Sequence, residues 1–291
     1  MRKASMALVA AVLSATAFLS CKDNYVDTTA DTFAKDTTAI AAFAKTQPQN
    51  YLYAGAGVRY AITTPNTAGR LPASGDEAEV TYLITSLDGK YRADSTKKDS
   101  LAYFRFNIGS LPPGIDIGLS KTREGESAIY LIPSYSAFQN TEYKGLPANT
   151  PIRFYTTLRK LRTEDEQIAD YIARNKLTLT TQTQDGVRIC KTQSVTTGSE
   201  LINGQTVSVR YTGKLLRYGT VFDSNVGKQL FDVALGSTSV IRGFESGIRA
   251  LKVGEKATIV FPSSVGYGTT GYSSIPGYTP LAFDIEIVSV R

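Results

Sequence analysis

The strongest constraint on this chain is that it is written twice. Gly57-Val58-Arg59 returns as Gly186-Val187-Arg188, and Gly114-Ile115-Asp116-Ile117-Gly118 returns as Gly243-Phe244-Glu245-Ser246-Gly247. Gly125-Glu126-Ser127-Ala128 pairs with Gly254-Glu255-Lys256-Ala257, and Ile132-Pro133-Ser134 with Phe261-Pro262-Ser263. Apart from a slip around Leu101 to Gly109, each pair lies 129 positions apart, as 114 and 243 or 154 and 283 do. A period of that length is a whole domain, well above the roughly 20–50 residues of a solenoid repeat. A chain of 291 residues holds two such domains, each with its own core.

The second copy shows what kind of domain is repeated. Val207, Val209 and Tyr211 alternate with polar residues, as do Leu281, Phe283, Ile285 and Ile287, the pattern of half-buried strands. Phe244, Ile248 and Leu251 recur at helical spacing and give a short helix one apolar face. Alternating strands packed on one helix imply an antiparallel α+β fold. A further helix is expected over about Glu164 to Asn175, with Ile168, Tyr171 and Ile172 as its apolar positions. The predicted organisation is a leader over 1–20, a polar tether over 21–38, a first domain over 39–160, a helical connector over 161–176 and a second domain over 177–291.

Composition then narrows the chemistry. The chain contains no His and no Trp. Without His it lacks the usual general base and the commonest metal ligand, which excludes a Ser-His triad or a His-ligated metal centre. No cofactor and no metal are expected. The net charge is +6, or +4 without Arg2 and Lys3, and its basic residues are scattered among acids. Lys97-Lys98 and Arg159-Lys160-Leu161-Arg162 are short clusters of solvated surface, and no nucleic-acid partner is expected.

At the N-terminus, Arg2 and Lys3 precede an apolar run from Ala7 to Leu19 that is too short for a comfortable membrane span. Phe18-Leu19-Ser20-Cys21 resembles a bacterial lipobox, with Phe18 where Leu is usual. The expectation is cleavage before Cys21 and lipidation of its thiol; an ordinary secretory signal with a chance cysteine is the alternative. Lys22 argues against inner-membrane retention, and Lys22-Asp23 resembles an export signal of surface lipoproteins. The expected location is the bacterial cell envelope, lipid-anchored at the outer membrane on its periplasmic or outer face. Asn24 to Thr38, polar and without apolar period, reads as a tether. Cys190, the other cysteine, sits in a strand-like run as a small buried hydrophobe.

Six motifs in the second copy carry a resemblance. Val209-Arg210-Tyr211-Thr212-Gly213, Phe222-Asp223-Ser224 and Val240-Ile241-Arg242-Gly243-Phe244-Glu245 stand in order. Val253-Gly254-Glu255-Lys256-Ala257, Gly266-Tyr267-Gly268 and Leu281-Ala282-Phe283-Asp284 follow. Together they resemble the FKBP-type peptidyl-prolyl cis-trans isomerases, closely over about one hundred residues and loosely in the upstream copy. The resemblance implies two tandem FKBP-like domains, each an antiparallel five- to six-stranded sheet curled around a short helix with an apolar pocket between.

It also implies site residues. Tyr211, Phe222, Asp223, Ile241 and Tyr267 would form the catalytic set, with Phe231, Val240, Phe244, Tyr272, Ile275 and Phe283 as further substrate contacts. By the same resemblance, the Ile241 N–H and the Tyr267 hydroxyl would bind carbonyls flanking a proline whose ring rests near Phe244. Asp223 would place negative charge near the twisted carbonyl. For any one of these aromatics alone, core packing is the plainer reading; the joint pattern favours a pocket. Phe244 replaces a common Trp, Tyr272 a frequent His and Ser239 a frequent Glu. The segment from Asp223 to Phe231 is short and lacks a basic partner for the Asp.

The first copy departs further. It keeps Tyr82, Asp94 and Phe154, but has Ala93 for Phe222, Phe138 for Tyr267, and Leu111-Pro112-Pro113 for Val240-Ile241-Arg242. Pro112 has no N–H to donate. That copy is expected to be inactive and to bind client segments or act as a spacer. The expected activity is isomerisation of X–Pro bonds in unfolded or exported proteins, with a macrolide-type inhibitor as a further possible occupant. A non-catalytic FKBP-fold binding or chaperone lipoprotein, or a purely structural envelope lipoprotein, is the competing reading.

Overall fold

The computed structural model describes residues 28–291. Cys21, the leader over 1–20 and the start of the tether lie outside the described residues. In chain order the first copy comprises α1 (Thr28–Lys45), β1 (Leu52–Gly55), β2 (Val58–Thr64), β3 (Glu77–Ser86), β4 (Arg92–Ser95), β5 (Ala102–Arg105), α2 (Pro113–Leu119), β6 (Ser127–Ile132) and β7 (Ile152–Arg162). The second comprises α3 (Glu164–Arg174), β8 (Thr181–Gln182), β9 (Arg188–Gln193), β10 (Thr206–Leu215), β11 (Val221–Ser224), β12 (Phe231–Ala234), α4 (Arg242–Arg249), β13 (Lys256–Phe261) and β14 (Leu281–Val290).

The two sheets share one topology. In the first, six strands run β1-β2-β6-β7-β3-β4, and the short β5 pairs with β3. In the second, the corresponding order is β8-β9-β13-β14-β10-β11, and β12 pairs with β10. Every pairing is antiparallel, and the longest strands of each copy pair at its centre, β3 with β7 and β10 with β14. Along β13 and β14, Ala257, Ile259, Phe261, Leu281, Phe283, Ile285 and Ile287 point to one face and form the buried core with Phe244 and Ile248 of α4. Such a period of two is what lets one sheet face a dry core while the other faces outward.

The helix at the centre of each copy lies directly on its sheet, and glycine makes that possible. A Cβ on Gly247 would stand 2.3 Å from Ile259 Cδ1, and one on Gly243 would stand 2.6 Å from the Phe261 ring. The first copy repeats the device at Gly114 and Gly118 against Ile132 and Tyr130. The repeated Gly-x-x-x-Gly is therefore a close-approach motif. A side chain at either position would have to lift the helix off the sheet.

Two expectations about helices need correction. The polar segment Asn24 to Thr38 does not remain a tether, because from Thr28 onward it is the first part of α1. Phe33 is its one large apolar position in that window, edge-on to Tyr135, and the rest come later: Ile40 is buried with Tyr51, Ala61 and Leu131, and Phe43 and Ala44 pack beside it. Nor is α3 merely a connector. Ile168 and Tyr171 are buried against Leu216, Val260 and Ala282, the outward residues of the second sheet. Leu131 and Val260 are themselves 129 positions apart, so each helix covers the same place on the back of its own sheet.

Each helix also holds its copy by a carboxylate. Asp36 of α1 accepts hydrogen bonds from the Ser134 N–H at 2.8 Å and Oγ at 2.6 Å. Glu164 of α3 accepts from the Ser263 N–H at 2.6 Å and Oγ at 2.7 Å. Ser134 and Ser263 open equivalent single turns after β6 and β13. The start of α3 is further set by a capping box, in which Thr163 and Glu166 satisfy each other's backbone N–H. The repeated unit is thus a helix plus a sheet, with α1 and α3 as its opening elements.

Candidate active site

In the second copy the core opens into a cavity of about 300 Å³ between the sheet and α4. Tyr211 enters from β10, Phe222 and Asp223 from β11, Phe231 from β12 and Phe283 from β14. Ser239, Val240 and Ile241 line it from the segment entering α4, Phe244 from α4 itself, and Tyr267 and Tyr272 from the loop between β13 and β14. Ile275 is the one expected contact that the structure places elsewhere. It is buried in the core, and its N–H donates to the Tyr272 carbonyl at 2.9 Å, so it supports the loop from behind. A hollow of about 350 Å³ on the first sheet, by contrast, includes Thr63, Thr81, Thr156 and Thr157 in its lining.

The cavity walls are an aromatic cage. The Phe283 ring lies edge-on to Phe244 at 5.0 Å and to Phe222 at 5.5 Å, while Tyr211 stands 5.5 Å from Phe244 and 5.7 Å from Phe231. Such edge-to-face contacts fix ring orientation in addition to burying area. Tyr267 stacks on Tyr272 at 5.1 Å, and Tyr272 is 65% exposed at the mouth.

Polar groups stand among the rings. The Tyr211 hydroxyl donates to Asp223 at 2.6 Å. Burial pushes the Tyr211 phenol up, and its hydrogen bond to Asp223 pushes it further in the same direction. Burial likewise raises Tyr267, helped by the nearby Asp223 charge. Both remain neutral donors across the physiological range. Ile241 caps α4 with φ −62° and ψ 141°, and its N–H makes no hydrogen bond among the described residues. The Tyr267 hydroxyl is in the same state, so two residues that line one aromatic-walled cavity each carry an unspent donor.

Asn225 is a supporting residue that the motifs did not single out. Its Oδ1 accepts the Tyr211 N–H at 2.7 Å, while its amide donates to the Val209 carbonyl at 2.9 Å. It therefore fixes the strand that carries Tyr211 and closes the short turn after Asp223. Its place directly after Phe222-Asp223-Ser224 was the available signal. Ser239, noted only as a departure, also lines the cavity.

The equivalent place in the first copy is lined differently. Phe138 and Tyr143 stack at 3.8 Å and pack into the core with Ala93, Phe104 and Leu111. Asp94 accepts from the Tyr82 hydroxyl at 3.0 Å, the Tyr143 hydroxyl at 3.0 Å and Lys144 Nζ at 2.7 Å. Burial alone would raise Asp94, but these hydrogen bonds and one from the Ser95 N–H hold it below the usual carboxylate value. Tyr82 is pushed up to about 12, by burial first and then by Asp94. Pro112 occupies the cap of α2, where Ile241 stands in the second copy.

A curled antiparallel sheet, a short helix seated on glycines and an aromatic cavity between them define an FKBP-fold protein, here in tandem. The model of the FKBP-type peptidyl-prolyl cis-trans isomerase family matches residues 69–159 and again 198–288, and the chain belongs to that family. It is 46% identical over 89 residues to "Peptidyl-prolyl cis-trans isomerase FKBP53" of Arabidopsis thaliana, covering 30% of this chain and 19% of that one. It is 31% identical over 210 residues to "Peptidyl-prolyl cis-trans isomerase FKBP9" of Rattus norvegicus, covering 71% of this chain and 33% of that one. The structure of the three FKBP domains of wheat FKBP73 is 20% identical, covers 83% of this chain and 99% of that one, and superposes with a TM-score of 0.40. The chain thus spans a third or less of the length of these two curated relatives.

Proposed function

We propose that the second copy is a peptidyl-prolyl cis-trans isomerase and that the first copy does not catalyse. Rotation about an X–Pro bond breaks no covalent bond, but its barrier is about 18–20 kcal/mol and it takes tens to hundreds of seconds unaided. That barrier is amide resonance, so a catalyst need only favour the twisted, less conjugated imide. The aromatic cavity removes the water that stabilises the planar amide. The Ile241 N–H and Tyr267 hydroxyl bind carbonyls on either side of the bond, and Asp223, held by Tyr211, presents negative charge to the twisted carbonyl carbon. The proline ring rests against Phe244, with Phe222, Val240 and Phe283 around it.

The observation that carries this reading is that residues with two unspent donors and one carboxylate line a single aromatic-walled cavity. It is tested by the rate of isomerisation of short X–Pro peptides. Wild type accelerates it; Tyr267→Phe and Asp223→Ala each lower kcat/KM about tenfold, the scale of one hydrogen bond. Folded wild type that accelerates no tested X–Pro peptide overturns the assignment.

The same proposal places the chain at a bacterial envelope, lipid-anchored through Cys21, where unfolded exported proteins supply proline-containing segments. The lipobox-like Phe18-Leu19-Ser20-Cys21 supports this reading. Incorporation of labelled palmitate that survives in Cys21→Ser would remove it.

A further inference from the structure

The loop between β13 and β14, which carries Tyr267 and Tyr272 into the cavity, is held from the first copy. Arg105 of β5 donates from Nη1 to the Tyr278 carbonyl. The Tyr278 ring lies on Gly75, where a Cβ would stand 2.5 Å from it. Tyr278 in turn donates its N–H to the Gly268 carbonyl at 2.9 Å, and Gly271 donates to the Tyr267 carbonyl at 3.1 Å. A continuous path of contacts therefore runs from Arg105 to the residue whose hydroxyl faces the substrate.

The two copies diverge where this contact is made. Tyr278 has φ 54°, a left-handed conformation that bulky side chains avoid; its counterpart in the first copy is Asn149, at φ 55°. Asn tolerates that conformation better than Tyr does, so the Tyr278 ring is held on Gly75 at a conformational cost. By strand register Arg105, which pairs with Glu77, corresponds to Ala234, which pairs with Thr206. Gly204, the counterpart of Gly75, has nothing within 4 Å of where a Cβ would lie. Beside this contact Arg217 of the second copy pairs with buried Glu77 and lies 4.2 Å over the Tyr103 ring, so the β10–β11 hairpin leading to Phe222 is held by the same face.

We propose that Arg105 and Tyr278 are positioning residues of the isomerase cavity, and that the first copy serves as a fixed support for the substrate loop of the second. This rests on the isomerase reading of that cavity. Neither residue lines the cavity; they act through Tyr267 and Tyr272.

The test uses the chain with both copies, as Arg105→Ala, Arg105→Lys and Tyr278→Asn. Tyr278→Asn installs the residue the first copy uses at this turn, and so removes the ring from Gly75 while keeping a residue that suits the backbone. Each is compared with wild type for KM and kcat on X–Pro peptides and for amide hydrogen exchange over residues 266–280. Arg105→Ala and Tyr278→Asn are expected to raise KM about three- to tenfold with kcat little changed, and to speed exchange in that segment. Arg105→Lys, which keeps one donor, is expected to recover most of both. Unchanged exchange and KM, or losses confined to melting temperature, overturn the proposal. A wild type that catalyses nothing removes the isomerase reading instead, and exchange over 266–280 then still decides whether Arg105 holds the loop.

Discussion

Ile241 and Pro112 occupy the same cap in the two copies with nearly the same backbone, φ −62° against φ −52°. The difference between them is one N–H and a side chain. Ile241→Pro is therefore expected to leave the fold in place, since φ already suits proline, while lowering kcat/KM about tenfold through loss of the donor. Unaltered catalysis, measured with a melting curve as control, would show that this N–H does not meet the substrate. In the first copy the informative residue is Asp94, whose pKa is lowered by Lys144, Tyr82 and Tyr143 against the effect of burial. A lowered carboxylate stabilises the fold fully above its unfolded value of about 4 and loses that contribution as pH falls through the folded value. Lys144→Met is accordingly expected to destabilise at neutral pH, with the difference from wild type shrinking as acid protonates Asp94. A difference that is flat with pH in denaturant titrations would mean that Lys144 acts by packing alone.

At the scale of elements, the helices before each sheet decide what the repeated unit is. The motif pairs begin at Gly57 and Gly186, after both helices, and so a repeat read from them starts too late. The helices diverge in sequence because little is required of them beyond an apolar residue at Ile40 or Ile168 and a carboxylate at Asp36 or Glu164. If α3 were only a connector, truncating Ile168 would cost little. Since Ile168 is fully buried among Tyr171, Val260 and Ala282, Ile168→Ala is expected to destabilise by about 2–4 kcal/mol in chemical denaturation. The sheets were more legible than the helices. Alternation in Val207 to Tyr211 and Leu281 to Ile287 identified strands because one face is dry, whereas α1 has most of its apolar packing residues in its second half.

At the scale of the whole molecule, the two copies are joined by more than the passage from β7 into α3. Arg162 reaches Glu79 at 2.8 Å and Asp170 at 2.6 Å, and Arg217 pairs with Glu77 across the copies. The Glu77 and Arg162 side chains are largely buried, so removing a partner leaves charge unpaired in a desolvated place. Wild type is expected to show one calorimetric transition in which both copies unfold together. Arg217→Ala combined with Arg105→Ala is expected to split it into two. A single unchanged transition in that variant would show that the copies are coupled elsewhere.

The sequence by itself determined that one domain occurs twice, that it is antiparallel α+β, and that the second copy carries the motifs from which a cavity could be proposed. Those properties are written in periodicity and in motifs at a constant offset, which need only local chemistry to be read. Tertiary structure alone decided which of those residues meet. It placed Ile275 behind the loop, brought Asn225 under Tyr211, and closed the first copy with Tyr143 and Lys144 on Asp94. It also seated Tyr278 on Gly75, a contact between residues about two hundred positions apart that no local pattern specifies. Side chains distant in sequence meet only once both sheets have curled and docked, so the fold was legible from the chain while the support of its site was not.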